Sequence, residues 1–238
     1  MNARLGGAPV KIIGSISNRL FQEIWATKDV TQPEQLKGKK WGISSFGSEA
    51  HLAAMLALEH WGMKPDRDVV LIPIGGGVLG RLVALSKGTI SATTLIPPAT
   101  KPAVESGQLR RLGNTADITG DYMSLPIAVQ EQTLQKRRPT LERLLVALSK
   151  GVERTRKDRD LGVAVLAKYL NLKSKMADAE ASYDFYREVA PVSLRPSLEG
   201  IQFVLARLEN PKAKSTPAAD FVSLEILNDL AQRGVIPR

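Results

Sequence analysis

Serine and glycine residues cluster at a junction between a predicted strand and a predicted helix. The segment LKGKKWGISSFGSEA (residues 36–50) gives a strand that ends at Ser44, a loop of small residues and a helix that begins near Ser48. The N-terminus of a helix presents free backbone N–H groups and a partial positive charge, and both favour an anion. The junction therefore predicts an anion-binding site formed by Ser44, Ser45, Phe46, Gly47 and Ser48.

The same junction has a purely structural interpretation. Ser48 is a good N-cap, and Glu49 in the first turn of the helix strengthens that role. The anion site requires Ser45, Gly47 and Ser48 to face a crevice between two lobes, with the backbone N–H groups of residues 47–49 unpaired within the protein. The motif leaves both interpretations open.

A glycine-rich segment follows the next predicted strand. Residues 75–80 (GGGVLG) match the dinucleotide-binding pattern G-x-G-x-x-G between a strand and a helix. That fold requires an acidic residue about 20 positions further on, but the next strand ends in TLIPP and the next carboxylate is Glu105. The pattern therefore predicts no nucleotide and no other cofactor. It predicts a loop whose backbone can approach a ligand closely, formed by Gly75, Gly76 and Gly77.

These two loops share an edge of the predicted sheet with a third loop, which contains Thr94 and Pro97. In an open parallel sheet, ligands bind beyond the carboxyl ends of the strands. Three loops that converge on one edge are a stronger indication of a ligand site than any one of them alone.

No set of catalytic residues is present. The chain has no cysteine and two histidines, His51 and His60, which lie nine residues apart on one predicted helix. The Gly-x-Ser-x-Gly and P-loop motifs are absent, and so are paired carboxylates at motif spacing. We therefore predict neither an enzyme nor a metal site.

Charge and hydropathy exclude other functional classes. The 238 residues carry a net charge of +9, which raises the possibility of a nucleic-acid partner. However, residues 136–160 hold nine basic and four acidic residues, so most of the excess lies in one predicted helix, without interleaved aromatic residues. We interpret it as a solvated helix face and predict no nucleic-acid partner. No apolar run approaches the ~20 residues of a transmembrane helix.

Strands and helices must alternate between residues 40 and 129 to position these loops. Helices that stop at glycine before the next strand begins predict a mainly parallel α/β sheet. Before it, residues 10–17 and 21–26 read as two strands without helices of their own. After it, the apolar period indicates helices only. In the first long helix we expect Leu141, Leu144, Leu145 and Leu148 to be buried and Arg137, Arg138, Arg143, Lys150 and Arg154 to be exposed.

The order of these motifs resembles a known family. The segments LKGKKWGISSFGS, PDRDVVLIP and ALSKGTISA are similar to the adLKGKkigv…GS, pdkDVtlv and AL.sGqiDA stretches of the nitrate, sulfonate and taurine solute-binding proteins of ABC transporters, the SsuA/THI5-like or NMT1-like proteins. The similarity continues through RPTLERLLVALSKGVE and ADFVSLEILNDLAQRG. One departure is Ser91, which stands where the family has an acidic residue.

The resemblance implies a type II periplasmic-binding-protein-like fold of two lobes. Residues 39–128 are then the second lobe, residues 1–38 a remnant of the first, and residues 129–238 the helical part that completes it. Family members begin with roughly eighty to a hundred further residues after a signal peptide, so the resemblance also implies an N-terminally shortened chain with an open strand edge.

The function implied is that of the solute-binding component of an importer. Its partners are a small, anionic ligand held between the lobes and the permease subunits, and its location is periplasmic. Because the chain shows no signal peptide, a cytoplasmic protein or a fragment is also open. Two other functions stay open: a small-molecule enzyme related to thiamine-pyrimidine synthesis and an effector-binding regulatory domain. These residues do not separate sulfonate, taurine, nitrate and thiamine-precursor-like ligands.

Overall fold

The computed structural model describes residues 1–208 and 210–237. Over these residues the chain forms seven strands and eleven α-helices. The strands are β1 (Val10–Arg19), β2 (Glu23–Thr27), β3 (Lys40–Ile43), β4 (Val70–Pro73), β5 (Ala92–Leu95), β6 (Leu109–Asn114) and β7 (Asp121–Gln130). The helices are α1 (Asn2–Leu5), α2 (Glu49–His60), α3 (Gly77–Ser86), α4 (Thr100–Glu105), α5 (Thr115–Thr119), α6 (Glu131–Lys136), α7 (Arg138–Lys157), α8 (Arg159–Tyr169), α9 (Met176–Val189), α10 (Leu198–Leu205) and α11 (Glu225–Gln232).

The alternation predicted from residue 40 onward is present, and so are the five longer helices after it. The short helices α1, α5 and α6 were not predicted, because each is only four to six residues long and too short to show an apolar period.

The described chain divides into two compact units. The sheet unit comprises Phe21–Thr119 and Leu172–Ser182, and the helical unit comprises Met1–Leu20, Gly120–Asn171 and Tyr183–Arg238. This division differs from the predicted segments 1–38, 39–128 and 129–238 in its boundaries. β2 is hydrogen-bonded to β5 and β6 and belongs to the sheet unit, whereas β7 pairs with β1 and belongs to the helical unit.

The sheet unit contains a mixed five-stranded sheet in the order β4-β3-β5-β2-β6. β3 is parallel to β4 and β5, and β2 is antiparallel to β5 and β6. Four of the five strands therefore run in one direction, and only β2 opposes them. As a result, β2 begins at the edge of the sheet where β3, β4, β5 and β6 end.

Both faces of this sheet carry apolar residues. Ile24 packs in one cluster with Ala54 and Leu58 of α2, whereas its neighbour Trp25 packs in another with Leu82 and Leu85 of α3. Successive strand residues point to opposite faces, so α2 and α3 cover opposite faces of the sheet.

The helical unit is built around the antiparallel pair β1–β7, whose register shifts three times. Ile13 of β1 packs with Leu141 and Leu145 of α7 and with Ile226 and Leu227 of α11. Gly200 of α10 lies so close to β7 that an added Cβ would be 2.7 Å from the backbone nitrogen of Met123.

Helix α7 carries the basic stretch seen in the sequence. Leu141 and Leu145 are buried and Leu148 is half-buried, but Leu144 is 42% exposed, so its predicted burial is wrong. The predicted exposure is confirmed at four of the five basic positions, which are Arg137, Arg143, Lys150 and Arg154. An apolar period predicts a helix face but not the width of the strip that its neighbours cover.

Arg138 is the exception among these five basic residues. Its Nε lies 3.0 Å from Oε1 of Glu142, its Nη1 3.9 Å from Oε2 of Glu225, and its Nη2 3.6 Å from Oδ2 of Asp229. Arg138 is therefore only partly exposed, and its charge joins α7 to α11.

The aromatic residues divide between the two units. All three tryptophans, Trp25, Trp41 and Trp61, belong to the sheet unit, and the rings of Trp41 and Trp61 lie 6.1 Å apart. All four tyrosines belong to the helical unit: Tyr122, Tyr169, Tyr183 and Tyr186.

None of the helices in the described part of the chain has both the length and the hydropathy needed to cross a bilayer.

Candidate ligand site

The predicted site residues lie at one edge of the sheet unit. Ser44, Gly75 and Pro97 follow the ends of β3, β4 and β5, which run in the same direction, and Thr94 lies near the end of β5. Gln22 lies at this edge as well, because it directly precedes the opposed strand β2.

The loop from Ser44 to Ser48 is closed by its own hydrogen bonds. Ser48 is the N-cap of α2, since its Oγ accepts the N–H of His51 at 3.2 Å. Its hydroxyl donates to the carbonyl of Ser45 at 2.7 Å, and its backbone N–H donates to the same oxygen at 3.2 Å. The structural interpretation of this motif is therefore confirmed.

The predicted row of unpaired N–H groups at residues 47–49 is wrong. Besides the N–H of Ser48, that of Gly47 is satisfied, since it donates to Nδ1 of His51 at 3.1 Å. The reason is that a loop of this length lets Ser48 and His51 turn back and cap their own backbone. Phe46 is 59% exposed, and its ring meets His51 edge-on with the centroids 5.4 Å apart.

The glycine segment forms a tight turn at the start of α3. Gly76 is the left-handed N-cap residue at φ 78°, a conformation that costs glycine little. Gly80 packs directly against the turn, and an added Cβ there would lie 1.9 Å from the carbonyl oxygen of Gly75. The G-x-G-x-x-G spacing therefore serves close packing of the turn on its own helix.

Arg81, the residue after this motif, connects the site. Its side chain is only 3% exposed, and α3 directs it to the carboxyl ends of β3 and β5. Nε and Nη2 donate to the carbonyl of Thr94 at 3.4 and 3.1 Å, and Nη1 donates to Oγ of Ser44. Arg81 of α3 thus joins Ser44 of the first predicted loop to Thr94 of the third.

The charge of Arg81 has no carboxylate partner among the described residues. Burial lowers the pKa of its guanidinium from the ordinary value, because removal from water disfavours the charged form. On the side chain of Thr94, Oγ1 is buried and has no hydrogen-bond partner in the described part of the chain. The site therefore combines an uncompensated cation with an unused hydroxyl, and an anion would complement both.

The other predicted residues lie around this centre. Ser44, Ser45, Gly75, Gly76 and Gly77 are exposed at the edge, and Pro97 is half-buried two residues beyond β5. In the part of the chain that the structure describes, no cluster of three His, Asp or Glu side chains could hold a metal ion.

Arg81 was not among the predicted site residues. The sequence does carry a signal for it, because Arg81 is the only charged residue in GVLGRLVALS, the whole of α3. A single charge on an otherwise apolar helix must either reach solvent or find partners inside.

Solved structures show the fold class, which is that of the periplasmic solute-binding proteins of the SsuA type. A protein from Bordetella bronchiseptica RB50 is 19% identical, with a TM-score of 0.78 over 98% of this chain and 77% of its own. The periplasmic aliphatic sulphonate binding protein SsuA from Escherichia coli is 19% identical, with a TM-score of 0.66 over 99% and 72%. The desulfurization enzyme DszB is 18% identical, with a TM-score of 0.64 over 95% and 80%.

The chain belongs to the NMT1/THI5-like family, whose sequence profile matches residues 1–160. No curated protein sequence matches it significantly.

Proposed function

We propose that this protein is the solute-binding component of an ABC importer. Its ligand is a small organic or inorganic anion, such as a sulfonate, taurine or nitrate, or a thiamine-precursor-like compound, and its partners are the permease subunits of a periplasmic uptake system. Support comes from the family and from the likeness to the E. coli sulphonate-binding protein. The observation that carries the proposal is the burial of Arg81 at the strand ends, where none of the described residues gives it a carboxylate partner.

The energetic argument concerns this buried charge. Removing an ion from water costs several kcal/mol, and partners must offset that cost. Arg81 receives two neutral acceptors, the carbonyl of Thr94 and the hydroxyl of Ser44. A bound anion provides the missing opposite charge. The oxygen of Ser44 is occupied by Arg81, so its own proton is available for donation to the ligand.

The proposal is tested by titration calorimetry with ethanesulfonate, nitrate and tetramethylammonium as probes. We expect at least one anion to bind and the cation not to bind. Hydrogen bonds to a charged group contribute about 1.5–3 kcal/mol, so Arg81→Met should weaken anion binding roughly 10- to 100-fold.

Arg110→Met is the matched control, since Arg110 is an exposed arginine of the same sheet unit. It should leave the affinity within about twofold. Tryptophan fluorescence of both variants verifies that the sheet unit is folded. Undiminished anion binding by folded Arg81→Met, or equal losses in both variants, would contradict the proposal.

A second candidate function is an enzyme acting on a related anion, because DszB shares this fold. The chain has no cysteine, and its two histidines lie at the two ends of α2. Mass spectrometry of a long incubation with biphenyl-2-sulfinate, the compound bound to a DszB variant, separates the two functions. An unchanged compound is expected of a binding protein, and turnover that Arg81→Met abolishes would favour the enzyme.

A further inference from the structure

Two buried side chains at the edge of the sheet unit carry oxygen atoms that find no hydrogen-bond partner within residues 1–208 and 210–237. They are Oε1 of Gln22 and Oγ1 of Thr94. Gln22 is 7% exposed and Thr94 is fully buried. Buried polar atoms of native proteins are almost always satisfied, so two such atoms at one place indicate a missing partner.

The strand register places these side chains on one face of the sheet. Thr94 pairs directly with Ile24, so their side chains share a face. Gln22 is two residues before Ile24 and points to that face as well. Gln22 and Thr94 are then diagonal neighbours, whose Cα atoms are typically about 7–8 Å apart. One small ligand can reach both.

Glu49 fixes the orientation of the Gln22 amide. Nε2 of Gln22 donates to Oε2 of Glu49 at 3.3 Å, a bond that only the nitrogen end of the amide can make. The other end is therefore an oxygen, which accepts hydrogen bonds and cannot donate them. Glu49 adds a negative charge next to this acceptor, in the first turn of α2.

A second carboxylate of this edge lies on the other face of β2. Glu23 accepts the N–H of the Trp25 ring at 2.9 Å and forms an ion pair with Arg111 at 3.5 Å. Glu49 is the carboxylate on the α2 face, next to Gln22. Arg81, from the opposite face, gives the strand ends their donor character.

We propose that the ligand of this edge is a small zwitterion. Its anionic group binds Arg81 and the hydroxyl of Ser44, and its ammonium group binds Oε1 of Gln22 beside the carboxylate of Glu49. Thr94 lies between the two ends and gives its hydroxyl to the ligand. This inference rests on the proposed function. It restricts the ligand class to amino sulfonates and amino acids about as small as taurine and β-alanine.

The test compares four probes by titration calorimetry of the whole chain: taurine, β-alanine, ethanesulfonate and propionate. Each zwitterion is matched to an anion of similar size that lacks the amine. We expect a zwitterion to bind roughly tenfold or more tightly than its matched anion. Preference for taurine or for β-alanine identifies the sulfonate or the carboxylate as the anionic group.

Glu49→Gln removes the charge while keeping the shape. We expect it to abolish the advantage of the zwitterion without weakening the binding of the matched anion, because the removed charge repels an anion. Glu34→Gln, at an exposed glutamate of the same unit, should change neither affinity. Gln22→Leu should reduce the advantage in the same way.

The outcomes separate this inference from the proposed function. If no probe and no nitrate binds the folded protein, the proposed function is wrong. If ethanesulfonate binds as tightly as taurine and propionate as tightly as β-alanine, the zwitterion is overturned while an anion-binding function stands. If the advantage survives in both folded variants, Glu49 and Gln22 do not bind the amine.

Discussion

Two arginines of this protein stand in opposite electrostatic situations. Arg138 of the helical unit is partly exposed and faces three carboxylates, those of Glu142, Glu225 and Asp229. Arg81 of the sheet unit is buried, and the acceptors that it meets among the described residues are neutral. An arginine that is paired with carboxylates can hold two helices together. A buried arginine without a carboxylate partner points instead to a bound ligand that supplies the negative charge. Within the basic stretch, Arg138 therefore has a structural role, whereas Arg81 is the candidate for function.

The largest effect is expected where the backbone positions Arg81. A Cβ at Gly80 would lie 1.9 Å from the carbonyl oxygen of Gly75, which cannot move without opening the turn. Overpacking of this kind costs about 1–3 kcal/mol, so Gly80→Ala should lower the free energy of unfolding by about that much and weaken anion binding. Urea unfolding followed by tryptophan fluorescence measures the first effect.

Gly113→Ala is the control for that change, because an added Cβ at Gly113 has no neighbour within 4 Å. If Gly80→Ala is as stable as Gly113→Ala, the turn yields easily and does not fix the position of Arg81.

Arg138→Glu is expected to have the next largest effect, and it tests the structural role of the arginine in the helical unit. It places a fourth carboxylate among three, so each attraction becomes a repulsion, and we expect a loss of about 1–2 kcal/mol in stability with no change in anion affinity. Thermal unfolding followed by tyrosine fluorescence measures it.

Arg143→Glu is the matched reversal on the same helix. Arg143 is exposed, and its guanidinium contacts the hydroxyl of Thr140. The Arg143→Glu variant should lose less than about 0.5 kcal/mol of its free energy of unfolding, as is usual for surface substitutions. Equal losses in the two variants would show that the overall charge of α7 matters rather than the Arg138 cluster.

Arg81→Lys tests whether the candidate site needs the guanidinium group or only its positive charge. Lysine keeps the charge but cannot hold the carbonyl of Thr94 and the hydroxyl of Ser44 with one planar group. We expect anion affinity to fall by roughly tenfold, about 1.4 kcal/mol. Titration calorimetry with the same anions measures this loss. Full retention of the affinity would mean that the positive charge alone is enough to bind the anion.

The smallest effect concerns the serine loop. Ser48→Ala removes the N-cap of α2, which costs about 1 kcal/mol of stability. Because the loop satisfies its own backbone groups, we expect the anion affinity to change less than about twofold. A large loss of affinity with little loss of stability would restore Ser48 as a binding residue.

Local patterns predicted much of this fold. Glycine at helix ends and alternating apolar residues gave the elements from β3 to β6, because these signals lie within a few residues of each element. The direction and partners of β2 were not predictable. Glu23–Thr27 has the composition of a strand, and only contacts distant in sequence place it between β5 and β6.

The sequence-based prediction named Ser44 and Thr94 of the proposed site but not Arg81 and Gln22. Ser44 and Thr94 were identified because small polar residues at strand ends follow a general rule. Arg81 and Gln22 were missed because their importance depends on what surrounds them. A lone arginine on α3 and a glutamine before β2 acquire meaning only once burial and absent partners are known.

Because tryptophans and tyrosines lie in different units, intrinsic fluorescence can report on each unit separately. Excitation selective for tryptophan reads Trp25, Trp41 and Trp61, all in the sheet unit, whereas tyrosine emission originates wholly in the helical unit. Each unit can therefore be followed during denaturation without an attached dye. The 6.1 Å separation of Trp41 and Trp61 further permits exciton coupling, so near-ultraviolet circular dichroism should register small displacements of β3 against the end of α2.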